Sequence, residues 1–117
     1  MNNFKIIYYF YIFIIFSSCT AKTEFSIKNN SNLLIDSIKI SNGYDFIFTK
    51  RLSKGQTVIH NLKFTDLTPN FDGSFFIETY PNKKFRNFGY YTNGIQPDTH
   101  FSVEIKNDTI LIKESRN

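Results

Sequence analysis

Few side chains in this sequence can do acid–base, nucleophilic or metal chemistry, and each can be weighed in turn. There are two histidines and one cysteine. His60 falls on the apolar parity of Val58, Leu62 and Phe64, where an imidazole is expected to pack and hydrogen-bond rather than serve as a base. His100 follows Asp98 in an Asp-x-His pair. Such a pair can orient a ring or hold a cation weakly, but two ligands fall short of a metal site. No serine stands in a G-x-S-x-G setting, the strained turn that exposes a nucleophile. Thr68-Pro69-Asn70-Phe71-Asp72-Gly73 matches part of a calcium loop at Asn70, Asp72 and Gly73. Thr68 and Thr79 stand where the first acidic ligand and the closing bidentate Glu belong, so the segment reads as a loop of turn formers. No catalytic set, metal or cofactor is expected, and the chain reads as a non-enzyme.

The cysteine belongs to a different pattern. Lys5 precedes an uninterrupted apolar run, Ile6 to Phe16, which Ser17, Ser18 and Cys19 close. A positive start, a short apolar core and small residues make an export signal, and the run is too short for the roughly 20 apolar residues of a membrane-spanning helix. Phe16-Ser17-Ser18-Cys19 resembles the lipobox of bacterial lipoproteins, which ends in two small residues and a lipid-bearing Cys. The resemblance implies removal of residues 1–18, lipidation of Cys19, residues 19–23 as lipidated Cys and tether, and a place in the bacterial cell envelope, held to a membrane by the lipid. A plain secretory cut near Ser18 or Ala21, or an uncleaved anchor, are the other readings of the same residues.

The rest, 24–117, is the length of a single small domain. With Cys19 set aside it has no cysteine, so neither disulfides nor thiolates can support it. Of the 14 Phe and 7 Tyr of the whole chain, seven lie in the expected signal, and the 14 that remain are then the main source of core. The formal charge is only +4 and the basic residues are scattered, unlike the dense stripe of a nucleic-acid binder. No nucleic-acid partner is expected.

Period-2 alternation runs through the domain. Phe25 and Ile27 share one parity, as do Leu34, Ile38 and Ile40, then Tyr44, Phe46 and Phe48, then Phe75 and Ile77. Phe101, Val103 and Ile105 alternate with polar residues, and Asn107-Asp108 turns the chain toward Ile110 and Ile112. Clusters such as Asn29-Asn30-Ser31-Asn32 punctuate the segments. These features predict an all-β fold, a small sandwich of about seven to eight strands, immunoglobulin-like or transthyretin-like.

One segment reads as a surface. In a strand over Lys84 to Tyr91, Lys84, Arg86, Phe88 and Tyr90 fall on one face and Phe85, Gly89 and Tyr91 on the other. Phe76 and Tyr80 stand alongside if the preceding strand pairs with it. Aromatics mixed with Arg are typical of binding hot spots, so Arg86, Phe88 and Tyr90 are the expected contact residues for an envelope protein or glycan. The alternative is an inhibitor or immunity-type protein acting on a secreted hydrolase through the loop 66–73.

Overall fold

The computed structural model describes residues 21–65 and 68–116; the expected signal segment, Cys19, Asp66 and Leu67 lie outside the described residues. The described chain forms eight strands: β1 (Thr23–Asn29), β2 (Ile35–Ser41), β3 (Phe46–Leu52), β4 (Thr57–Leu62), β5 (Gly73–Tyr80), β6 (Lys84–Tyr91), β7 (Thr99–Ile105) and β8 (Ile110–Arg116). Two four-stranded sheets, β4-β1-β7-β8 and β3-β2-β5-β6, face each other as a β-sandwich. All pairings are antiparallel except β1 with β7. In the immunoglobulin arrangement the first two strands are neighbours in one sheet. Here β1 lies between β4 and β7 while β2 lies in the other sheet, which departs from that arrangement.

The core is aromatic at its centre. Phe25 stacks on Phe101 at 5.3 Å between centroids, and Phe75 meets Phe101 edge-on at 5.4 Å. Ile27, Ile38, Ile40, Ile77, Val103 and Ile105 fill the space beside them. Each aromatic buries about 150–250 Å², and this takes the place of the missing disulfides.

At one end of the sandwich the β1–β2 turn is built on Asn29, which is fully buried. Its Nδ2 donates to the carbonyls of Leu33 and Leu52, both at 2.8 Å, and its Oδ1 accepts from Ser31 N at 3.0 Å and Ser31 Oγ at 2.6 Å. The asparagine cluster is thus a hydrogen-bonded plug. β1 itself begins at Thr23, within the expected tether. Thr23 is buried and its Oγ1 donates to the Pro97 carbonyl at 2.6 Å.

Three expected parities are corrected. Leu34, grouped with Ile38 and Ile40, precedes β2 and is 44% exposed. Tyr44, Phe46 and Phe48 do not face the core: they are 45%, 59% and 45% exposed. Cross-strand partners share a face, and Ile47 pairs with the fully buried Ile40, so Ile47 turns inward and Phe46 and Phe48 turn out. Arg51, at φ 55, then breaks the alternation and returns Leu52 to the core. In β6, Phe88 pairs with Phe75 but Tyr91 pairs with Gly73. Three steps on β6 match two on β5, a bulge. It centres on Gly89, at φ 64, where a Cβ would stand 2.8 Å from Phe101 and 2.9 Å from Phe75. Only glycine combines that backbone with that approach.

Candidate functional site: an aromatic outer face

The two outer faces of the sandwich differ in kind. On the β4-β1-β7-β8 sheet the outward residues include Glu24, Ser26, Lys28, His100, Ser102 and Lys113, with Ile59 and Leu111 as isolated apolar side chains. On the β3-β2-β5-β6 sheet the outward apolar residues are aromatic: Phe46, Phe48, Phe76, Tyr80 and Phe85. Large apolar groups scattered singly are ordinary, whereas a contiguous set on one face marks an interaction surface.

The register arranges this set. Phe48 pairs with Lys39, Lys39 with Glu78, and Glu78 with Phe85, so one row crosses the sheet with a ring at each end and a cation and an anion between. Adjacent strands lie about 4.8 Å apart, which sets the two rings about 14 Å from each other. The next row brings Phe46 and Phe76, each paired with Ser41. Phe76 packs on Phe85 with centroids 5.7 Å apart, and Lys39 Nζ lies 5.0 Å from the Phe46 centroid, within cation–π range. Tyr80 Oη donates to Glu78 Oε2 at 2.6 Å, a bond that raises the tyrosine pKa above its usual value. The face thus offers flat rings with hydrogen-bonding groups between them. Such a surface suits stacking of a sugar ring or seating of partner side chains.

The residues expected to share a face are separated. Phe88 packs against the core, 5.1 Å from Phe101 and 5.9 Å from Phe75. Arg86 lies on the same inward parity at the rim, and its guanidinium donates to the Ile110 carbonyl of β8. Tyr90, turned by the bulge, is exposed and donates to Asp72 Oδ2 at 3.1 Å. Phe85, assigned in the sequence to the opposite face, is the β6 residue that joins the aromatic set; β5 pairs with β6 as anticipated, but Phe76 and Tyr80 share the face of Phe85 and not that of Arg86 and Phe88. Phe46 and Phe48 were missed because Phe46-Ile47-Phe48-Thr49 places apolar groups on both parities. The signal that resolves this, the pairing of Ile47 with Ile40, is not local.

The remaining candidates have structural partners. His60 is half-buried and lies 2.7 Å from Thr49 Oγ1. His100 pairs with Glu24 at 3.0 Å through the β1–β7 register, and Asp98 accepts from Lys22 N. In the 66–73 loop, Thr68 donates to Asp45 Oδ2 at 2.8 Å, and Asp72 accepts from Tyr90 and from Asn93 N. Among the described residues no group of three potential metal ligands converges. No protein-family model matches the chain, and no curated protein or solved structure does either.

Proposed function

We propose that this chain is a cell-envelope protein held to a membrane by lipid on Cys19, and that its sandwich is a non-catalytic module that binds a protein or glycan. The observation that carries the binding role is the asymmetry of the outer faces: five aromatic residues gather on one sheet and charged and polar residues cover the other. Keeping Phe46, Phe48 and Phe85 between 45% and 59% exposed leaves apolar surface in water that folding alone would remove. The lipobox-like Phe16-Ser17-Ser18-Cys19 supports the anchor.

The test replaces rings on one face at a time. Phe48→Ala with Phe85→Ala removes the ends of the aromatic row, and Ile59→Ala with Leu111→Ala is the matched control on the polar face. Exposed substitutions of this kind change stability by about 0.5 kcal/mol or less, so both variants should fold. Retention of envelope glycans and proteins by the immobilised chain is expected to fall at least tenfold in the first variant and to persist in the second. Equal retention by the two variants would remove the binding role from this face. The alternative, an inhibitor or immunity-type protein acting through the 66–73 loop, predicts instead that both variants keep their activity.

A further inference from the structure

The sandwich has two ends, and the exposed apolar loop residues at one of them stand where the anchored chain would meet lipid. The register places the start of β1 beside the end of β4, the start of β7 and the end of β8, through Thr23 with Leu62, Thr23 with Thr99, and Thr99 with Arg116. The described loop residues 42–45, 63–65, 68–72 and 92–98 therefore lie at the end at which the N-terminal segment enters. Three of their side chains are Tyr44, Phe71 and Ile95, at 45%, 52% and 65% exposure, and Tyr90, at 60%, joins them from the last residues of β6. Tyr44 and Phe71 touch edge-on at 5.9 Å, so two loops carry one apolar ridge.

Among the described residues, the loop carboxylates at this end are engaged. Asp45 accepts from Thr65 and Thr68, Asp72 from Tyr90 and Asn93 N, and Asp98 from Lys22 N. The exposed cations Lys22, Lys63 and Arg116 lie at the same end of the sandwich. Aromatic and aliphatic tips sharing one end with lysine and arginine are a composition that settles at a lipid–water interface.

We infer that the Tyr44, Phe71, Tyr90 and Ile95 ridge docks on the surface of the membrane that holds Cys19. This rests on the lipid-anchor reading, and what commits the ridge to lipid is the length of chain outside it. From Cys19 to the buried Thr23 an extended segment spans at most about 14 Å, too short for the domain to stand clear of the headgroups. The opposite end, with Leu33 and Leu34 exposed, lies about 23 Å away along the strands and faces the aqueous side. The aromatic sheet face then stands upright, reachable from the side.

The test reconstitutes the full chain in vesicles of phosphatidylcholine and phosphatidylglycerol and places an environment-sensitive thiol label at Ile95→Cys or Leu33→Cys. The label at 95 should emit blue-shifted and lose intensity when the acyl chains are brominated, and the label at 33 should do neither. Water-like emission at both positions overturns docking. Labelling of the chain without an introduced cysteine reports the anchor separately, since a lipidated Cys19 has no free thiol. If that chain takes the label, the anchor reading fails. Docking is then scored with Cys19→Ser in both labelled chains: a shift at 95 alone on adding vesicles keeps it, and no shift ends it.

Discussion

Asp45 shows how one residue holds the loops together. Burial pushes its carboxyl up, but hydrogen bonds from the Thr65 and Thr68 hydroxyls and the Thr65 amide outweigh it and hold the group below its ordinary value of 3.8. A carboxylate with a depressed folded-state pKa adds stability above the unfolded value and loses it as pH falls through the folded one. The thermal midpoint of the wild-type chain should therefore exceed that of Asp45→Asn at neutral pH, with the gap closing below about pH 4. A gap that stays constant through that range would mean the charge contributes nothing. Residues of this kind were half legible. The Asn29 cluster was readable as a turn because asparagines favour turns, but nothing local said that Asn29 itself would be buried and used through both its donors and its acceptor oxygen. Likewise, the Asp98-x-His100 spacing pointed to the wrong carboxylate. Glu24 is distant in sequence and becomes the partner only when β1 and β7 pair in parallel.

At the scale of the strand, alternation located the elements and failed where a bulge or a doubly apolar strand intervened. β7 and β8 were readable because their apolar residues occupy one parity and the turn between them is Asn107-Asp108. β3 was not, since pairing rather than composition decides its inward face. In β6 the glycine was visible as an interruption, but its consequence, that Phe88 and Tyr91 both turn inward, required the register with β5. This gives a paired expectation on neighbouring positions. Phe88→Ala removes a ring from the core cluster and should cost about 3 kcal/mol, while Phe85→Ala removes a ring that is 55% exposed and should cost about 0.5 kcal/mol or less. Denaturant unfolding of the two variants decides it. Equal losses would mean that the β6 register differs from the one described here.

At the scale of the molecule, the sandwich presents four distinct surfaces: a polar outer sheet, an aromatic outer sheet, a tether end with an apolar ridge, and an opposite end closed by the Asn29 turn. The all-β class followed from composition and spacing, because β-branched and aromatic residues at period 2 leave few other ways to bury them. The strand order did not, since it depends on which strands meet after the chain reverses. The aromatic face was partly visible in Phe76 and Tyr80; by parity Phe85 fell opposite the expected contact residues, and Phe46 and Phe48 came from a strand far away in sequence.

The binding face is tested most directly by ligand titration followed through the side chains of both sheets at once. With any envelope glycan or protein that the immobilised chain retains, the ring resonances of Phe46, Phe48 and Phe85 should shift and saturate together, while the His100 imidazole on the opposite sheet stays unmoved. Shifts at His100 with the three phenylalanine rings unchanged would place binding on the other sheet and contradict the assignment.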